Sequence, residues 1–212
     1  MPGRVWVPAP GTNSTRGNRG GVVDERPRAH AAAIATRIRS SYALFGHSVG
    51  AAVAYEVALR LQAHGPGATH LFVSGRHAPH EVRDDVYLCD DDGLPAELGR
   101  LGGTGTALLA GPALREIVLP ILRNDYRLAE RYRPTQGIRL RCPVTAMIGN
   151  VDPEVTGTEA RRREEATGAP FDLRVLPGDH FYLTPQRDAV VAEVVRRLVP
   201  APAARTLGPS TP

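Results

Sequence analysis

The sequence contains no lysine, since all 26 basic residues of its 212 are arginine. Abundant alanine, glycine and proline accompany the arginine, a composition typical of codon bias, so the net charge of +4 does not by itself indicate a basic binding surface. The one arginine cluster, Arg161-Arg162-Arg163, is followed directly by Glu164-Glu165. We interpret it as a solvated helix face and expect no nucleic-acid partner.

Cysteine and long apolar runs are also scarce. Cys89 and Cys142 are far apart and outside any metal-ligand spacing, so we expect reduced structural thiols and neither a disulfide nor a zinc site. Phosphate-loop and dinucleotide fingerprints are absent, and we expect no cofactor. No stretch is long enough to cross a bilayer, and the first residues lack the apolar core of a secretory signal. The expectation is a cytoplasmic protein without a membrane partner.

The length suits one domain of the α/β class. A hydrophobic content of 42% over 212 residues is ordinary for a globular chain and hardly allows two cores. We predict a single domain over residues 1–200. Residues 201–212 contain mainly proline, alanine, threonine and serine, and we expect them to be disordered.

The stretch from Tyr42 to Gly65 predicts a strand, a sharp turn and a helix. An apolar run, Tyr42 to Phe45, precedes Gly46-His47-Ser48-Val49-Gly50, which matches the G-x-S-x-G pattern of a nucleophile elbow. In an elbow the flanking glycines prevent collisions at the strained turn that presents the serine. The alternative is a tight glycine turn with a solvated serine.

A helix after the elbow is predicted from apolar residues at helical spacing and from Gly65 as its end. The spacing of Glu56 and Arg60 predicts an i,i+4 ion pair, which we place on the outer side of this helix. Its many alanines would let it lie close against a sheet.

Upstream of the elbow, Val5-Trp6-Val7 is a strand-like fragment, and a helix is expected from His30 to about Ser40. Downstream, Leu71 to Gly75 predicts a second buried strand with a glycine exit. An insertion over about residues 79–133 follows, with helical stretches around Ala113 to Leu122 and Asp125 to Tyr132. We interpret it as a lid over the active site, and the alternative is a helical excursion that covers one sheet edge.

The sheet resumes at Val144 to Ile148, and a polar helix is expected from about Thr158 to Thr167. The last strand is predicted at Phe171 to Leu176. The final helix, Ala189 to Leu198, should direct five apolar residues inward: Val190, Val191, Val194, Val195 and Leu198.

A nucleophilic serine needs an imidazole to take its proton and a carboxylate to orient that imidazole. Asp152 and His180 each follow a predicted strand, in the order serine, acid, histidine that α/β-hydrolases use. His180 is the only histidine downstream of this aspartate. Asp179 is the rival acid, but adjacent residues on a turning loop point apart, so capping the turn is its expected task.

Five separated motifs together resemble the type II thioesterases of polyketide and nonribosomal-peptide assembly lines: ALFGHSVGA, LFVSGR, REIVLPILRNDYRLAERY, CPVTAMIGNVDPEV and LPGDHFYL. Members of this family are α/β-hydrolases that cleave acyl groups from the phosphopantetheine arm of acyl carrier proteins. The resemblance covers about residues 30–200. It implies Ser48 as nucleophile, Asp152 as acid, His180 as base, and residues near 90–132 as a lid lining the acyl channel. The backbone N–H of Val49 is the expected oxyanion donor.

The sequence departs from the family at two places. Asn150 occupies a position that is often acidic, and only 47 residues precede Ser48, where the family carries several strands. We favour an amino-terminal truncation that removes an oxyanion donor and slows hydrolysis. In an alternative register Val5 to Pro8 is the first strand and Pro10-Gly11-Thr12 is the oxyanion turn, but the link to Ser48 looks too short.

Three functions therefore remain open at the level of sequence. The first is a thioesterase that edits acyl carrier proteins. The second is a catalytically impaired module that still binds the carrier protein, and the third is a general small-ester serine hydrolase. Loss of early strands would also leave a sheet edge unpaired, so we expect self-association or marginal stability.

Overall fold

The computed structural model describes residues 4–6, 22–38, 40–81, 93–102, 111–135 and 137–199. Five parallel strands lie side by side in chain order. They are β1 (Arg4–Trp6), β2 (Tyr42–His47), β3 (His70–Ser74), β4 (Val144–Gly149) and β5 (Phe171–Leu176). The helices are α1 (Val22–Ala35), α2 (Val49–His64), α3 (Gly93–Leu101), α4 (Pro112–Arg131), α5 (Gly157–Arg161) and α6 (Arg187–Leu198), with a 3₁₀ helix at Arg162–Ala166. The predicted α/β class with a parallel sheet flanked by helices is confirmed.

One face of the sheet is covered by α1 and α2. Small side chains along α2, such as Ala51, Ala54 and Ala58, are at most 1% exposed and let the helix backbone approach the strands. At the turn itself, a Cβ added to Gly46 would lie 2.2 Å from the carbonyl oxygen of Gly50. Only glycine fits at this close crossing of strand and helix, as the elbow pattern predicts.

The opposite face is covered by α6, which directs fewer residues inward than predicted. Val190 is buried, and Val194 and Leu198 pack against the same apolar cluster. Val191 and Val195 are 53% and 51% exposed, so the prediction that all five apolar residues point inward is wrong for these two. Residues at i, i+4 and i+8 form a narrow stripe that packs on the middle strands of the sheet, and the remaining valines fall outside it.

The insertion between β3 and β4 contains α3 and α4. The two predicted helical stretches form the single helix α4, with Pro120 inside it. Both Pro120 and Glu116 are exposed, so the Glu116 carbonyl, which loses its intrahelical donor, can bind water instead. The helix therefore continues past the proline because the lost hydrogen bond lies on a solvated face.

The structure corrects the position of two charged residues. Glu56 does pair with Arg60, with 2.7 Å between Oε2 and Nη1, but Glu56 is only 3% exposed and does not lie on an outer face. Its carboxylate also accepts hydrogen bonds from the hydroxyl of Tyr132 and from the N–H and the hydroxyl of Thr135. Both residues lie in the segment directly after α4. The i,i+4 spacing predicts the pair, whereas the chain that folds over it decides the burial.

Arg163 is likewise buried, at 2% exposure, so the prediction of a wholly solvated arginine cluster is wrong. Its Nε donates to the carbonyl of Arg76 at 3.0 Å, and burial, followed by the charge of Arg76, lowers its pKa to about 10. Arg161 and Arg162 remain exposed. The expected polar helix is divided here between α5 and the 3₁₀ helix, and this tighter turn separates the three side chains.

The amino-terminal segment forms a strand and a helix next to the elbow. β1 pairs in parallel with β2, with Arg4 opposite Tyr42 and Trp6 opposite Leu44, so the link that we judged too short does allow this pairing. Helix α1 begins at Val22, eight positions before the expected start, and carries Pro27 inside it. Self-association stays a prediction, with β1 now covering part of the elbow strand.

Several expectations fall outside the described residues: the proposed turn at Pro10-Gly11-Thr12, the thiol of Cys89 and the tail over 201–212. Cys142 is buried and free, and burial raises the pKa of its thiol to about 11. Within the described part of the chain, no helix is long and apolar enough to cross a membrane. The same part holds no cluster of residues suited to a metal ion.

Candidate active site

Ser48 stands at the turn between β2 and α2 in a strained conformation. Its φ is 52°, the one positive φ of a non-glycine residue in the described ranges, and its ψ is −123°. Holding a residue in such a region costs on the order of 1–3 kcal/mol and is typical of functional turns. Its backbone N–H donates to the Ser74 carbonyl at 2.8 Å, which fixes the turn to the end of β3.

Val49, the predicted oxyanion donor, is the first residue of α2. The first four N–H groups of a helix have no partner within the helix, and they carry the positive end of its dipole. In this 16-residue helix those groups start directly after Ser48. An oxygen that gains negative charge beside the serine would therefore meet unpaired donors and a favourable field.

Asp152 and His180 meet as the sequence predicts. His180 Nδ1 lies 3.1 Å from both carboxylate oxygens of Asp152, and His180 and Asp152 are 1% and 8% exposed, respectively. The Oδ1 atom of Asp152 also accepts the N–H of Glu154 at 2.9 Å, which fixes the carboxylate. Because the aspartate occupies Nδ1, Nε2 is the ring nitrogen left for proton transfer.

The two loops that carry this pair are held together by Asn150. Its side-chain Oδ1 accepts the N–H of Gly178 at 2.8 Å, and the Val151 N–H donates to the Gly178 carbonyl at 3.1 Å. The two loops also approach each other closely at Gly149, because a Cβ added there would lie 2.3 Å from the carbonyl oxygen of Gly178. A carboxylate could accept the same hydrogen bond, so the departure from the family at Asn150 preserves the contact.

Asp179 has the capping role expected of it. Its Oδ1 accepts the N–H of Phe181 at 2.8 Å, which closes a turn around His180. The N–H of His180 itself donates to the carbonyl of Leu101 at 3.3 Å, at the end of α3. Phe181 packs with apolar residues of α3 and α4. The insertion therefore contacts the histidine loop directly.

Sequence reasoning missed three polar residues around this pair: His47, Ser74 and Tyr182. His47 Nδ1 lies 2.9 Å from Ser74 Oγ, which in turn lies 2.6 Å from the hydroxyl of Tyr182. The centroids of the His47 and His180 rings are 4.8 Å apart. Ser74 is the last residue of β3 and lies beside the carboxyl end of β2. Because ligands bind at the carboxyl ends of parallel strands, this position could have indicated Ser74 as a residue of the site.

A small apolar pocket lies next to Val49, between α1, α2 and α4. It is lined by Pro27, Val49, Ala52, Val53, Glu56, Ala129 and Tyr132. Glu56 is the one charged member, and Arg60 neutralises it. An apolar group bound here would lie at the amino end of α2, beside the nucleophile elbow.

Comparison with known proteins agrees with this geometry. Residues 28–198 match the family model described as a thioesterase domain. Thioesterase PikA5 of Streptomyces venezuelae is 41% identical over 174 residues, which span 80% of this chain and 62% of that protein. The gramicidin S biosynthesis protein GrsT of Aneurinibacillus migulanus is 34% identical over 170 residues, which span 78% of this chain and 66% of GrsT.

The solved structure of the type II thioesterase BorB, from the borrelidin biosynthetic cluster, matches with a TM-score of 0.77 and 40% identity, over 84% of this chain and 73% of that one. The chain spans less than two thirds of the length of PikA5 and of GrsT. The matched part includes the elbow and both loops that carry Asp152 and His180. The chain therefore belongs to the thioesterase domain family, within the α/β-hydrolase fold, and is related to type II thioesterases of polyketide and nonribosomal-peptide biosynthesis.

Proposed function

We propose that this protein hydrolyses acyl thioesters on the phosphopantetheine arm of acyl carrier proteins, with Ser48 as nucleophile, His180 as general base and Asp152 as its orienting acid. The observation that carries the proposal is the buried His180–Asp152 pair, whose imidazole packs against His47, the residue directly before the strained Ser48. The relatives support a thioester as the substrate, because PikA5 is named as a thioesterase and BorB as a type II thioesterase of a biosynthetic cluster.

In the first half of the reaction, Ser48 Oγ attacks the thioester carbonyl carbon while His180 Nε2 takes the hydroxyl proton. The carbonyl oxygen becomes an oxyanion that the N–H of Val49 stabilises. When the carbon–sulfur bond breaks, the thiolate of the arm takes the proton from His180 and leaves as a thiol. The acyl group then remains as an ester of Ser48.

In the second half, water attacks the ester of Ser48 and gives its proton to His180. The second tetrahedral intermediate collapses to a carboxylic acid, and His180 returns the proton to Ser48 Oγ. Asp152 stays ionised throughout and stabilises the imidazolium in both halves. The cycle consumes one water per thioester and needs neither a cofactor nor a metal, and we place it in the cytoplasm.

The insertion between β3 and β4 acts in this proposal as the lid over the acyl chain. Phe181 links it to the histidine loop through the apolar cluster with Leu98 and Leu119. The pocket beside Val49 has lining residues from the lid helix α4 as well as from α2. The pocket as it stands has room for about one water molecule, so an acyl chain would enter it only after the lid helix had moved outward.

The decisive experiment is labelling with a fluorophosphonate probe, followed by hydrolysis of an acylated carrier protein. Wild-type protein should form one covalent adduct at Ser48 and release free acid. Ser48→Ala should abolish both, because only the activated hydroxyl reacts. Ser41→Ala is the matched control, since this exposed serine lies before β2 and should leave both readouts unchanged.

Three outcomes would contradict the proposal. Labelling elsewhere, or none in a folded sample, would remove Ser48 as nucleophile. Binding of the loaded carrier protein without hydrolysis would select the binding module instead. Hydrolysis of small esters without any activity on the carrier protein would select a general serine hydrolase.

A further inference from the structure

We propose that His47, Ser74 and Tyr182 form a positioning network that fixes the nucleophile elbow against the His180 loop, with His47 as the positioning residue of the reaction. The inference rests on the proposed function. It assigns a role to the residue directly before Ser48, which does not itself touch the reacting atoms.

The first observation is the hydrogen-bonded chain itself. It runs from His47 Nδ1 to Ser74 Oγ at 2.9 Å and on to the Tyr182 hydroxyl at 2.6 Å. These residues come from three separate elements: the end of β2, the end of β3 and the loop after β5. Ser74 and Tyr182 are both 0% exposed, so water does not compete for their hydroxyl groups.

The second observation is where the chain ends. His47 immediately precedes Ser48, and Tyr182 comes two residues after His180, so one network fixes the positions of both catalytic groups. The rings of His47 and His180 also contact each other, with centroids 4.8 Å apart and planes tilted by 42°. A displacement of His47 would therefore shift the position of Ser48 and also change the surface against which His180 packs.

The third observation is that the backbone of Gly75 lies close to the Cε1 edges of both rings. A Cβ added there would lie 2.8 Å from His47 Cε1 and 3.0 Å from His180 Cε1, and the φ of Gly75 is +59°. Any larger residue would push the rings apart. The glycine after Ser74 thus leaves the room that both imidazoles occupy.

The electrostatics agree with a support that carries no charge. Burial, followed by the neighbouring charge of His180, lowers the pKa of His47 to about 3, while Asp152 acts in the opposite direction. The other titratable group in contact, Tyr182, is kept in its phenol form because burial raises its pKa. A neutral His47 places no like charge beside the imidazolium that forms on His180 in the proposed reaction.

The test compares two substitutions of His47 in the full chain. His47→Asn can place an amide near Nδ1 and keep the hydrogen bond to Ser74, whereas His47→Leu cannot. We expect His47→Leu to lower kcat by about 10- to 100-fold with KM unchanged, because small misplacements of reacting groups have effects of that size. His47→Asn should recover most of the loss. Equal kcat values for the two variants, high or low, would overturn the network.

Tyr182→Phe tests the other end of the chain without touching the elbow. We expect kcat to fall and KM to stay constant. Tyr42→Phe removes another buried phenol hydroxyl, at the amino end of β2, and should keep wild-type kcat. Melting temperatures of all variants separate misfolding from mispositioning, and a fall in kcat that only follows a lower melting temperature would contradict the inference.

The same experiments distinguish this inference from the proposed function. If Ser48→Ala retains thioester hydrolysis, the proposed function fails. If Ser48→Ala is inactive while His47→Leu and Tyr182→Phe both match wild type, the thioesterase mechanism stands and only the positioning network is wrong.

Discussion

Two buried carboxylates, Asp152 and Glu56, have different kinds of partners. Asp152 accepts hydrogen bonds from His180 and from one backbone N–H, and both of its oxygens face the imidazole. Glu56 accepts from Arg60, Tyr132 and Thr135, so permanently charged or neutral groups satisfy it completely.

The difference lies in the partner. Histidine can gain and lose a proton near neutral pH, whereas arginine stays charged and hydroxyl groups stay neutral. Asp152 can therefore stabilise a charge that appears during a reaction, while Glu56 can only hold its neighbours in place. Since Tyr132 and Thr135 follow α4, Glu56 fastens the carboxyl end of the insertion to α2. Burial of an acid is thus no sign of catalysis until its partner is known.

Asp152→Asn should give the largest effect on activity. The amide keeps the shape and can still accept the Glu154 N–H, but it cannot stabilise an imidazolium or select the proper tautomer. We expect kcat to fall by about 10⁴-fold, as in other serine hydrolase triads, with little change in the free energy of unfolding. Steady-state assays of thioester hydrolysis measure kcat, and urea denaturation measures the free energy of unfolding. A fall of less than tenfold would mean that Asp152 is not the acid.

Glu56→Ala should show the reverse pattern. It leaves the Thr135 N–H and the Tyr132 hydroxyl without the carboxylate that accepts from them, and it removes the charge that pairs with Arg60. The free energy of unfolding should therefore fall by about 3 kcal/mol. Turnover below the melting temperature should fall far less than in Asp152→Asn. Glu165→Ala is the control, because that carboxylate is exposed and its loss should change stability little. If Glu56→Ala were as stable as Glu165→Ala, Glu56 would not fasten the insertion to α2.

His70 sharpens the contrast, since it is a buried histidine with a neutral partner, Thr145 Oγ1 at 2.9 Å. Burial, followed by the charge of Arg197, lowers its pKa to about 4. The unfolded chain therefore binds a proton first as the pH falls, and the folded state loses stability below about pH 6.5. Between pH 7.5 and 5 we expect His70 to account for about 1 to 2 kcal/mol of that loss.

Urea denaturation at both pH values measures this effect. His70→Gln should show a smaller loss of stability than wild type over the same interval. His47 contributes in the same direction, because its pKa is also lowered. A wild-type protein that becomes more stable on acidification would contradict the assignment of both residues as buried and neutral.

Local sequence predicted the parts of the site that depend on neighbouring residues. The glycines around Ser48 indicate a turn that is too tight for side chains. The strand at Phe171–Leu176 has the predicted bounds. Asp152 and His180 could be found because parallel strands bring their carboxyl ends to one edge of a sheet. The helix boundaries were less predictable. Pro120 lies on a solvated face and does not end α4, and α1 continues through Pro27 although that residue is buried.

What the sequence by itself determined is the order of strand, elbow, acid and base, because those features follow from patterns within a few residues. The tertiary structure alone decided which polar groups became buried and what they contact. No local signal reveals the packing around Glu56, Arg163 and His47, because the segments that cover them lie far along the chain. The residues after α4 cover Glu56, and the end of β3 covers Arg163. The end of β3 and the His180 loop contact His47. Periodicity describes one element, whereas desolvation depends on every element that packs against it.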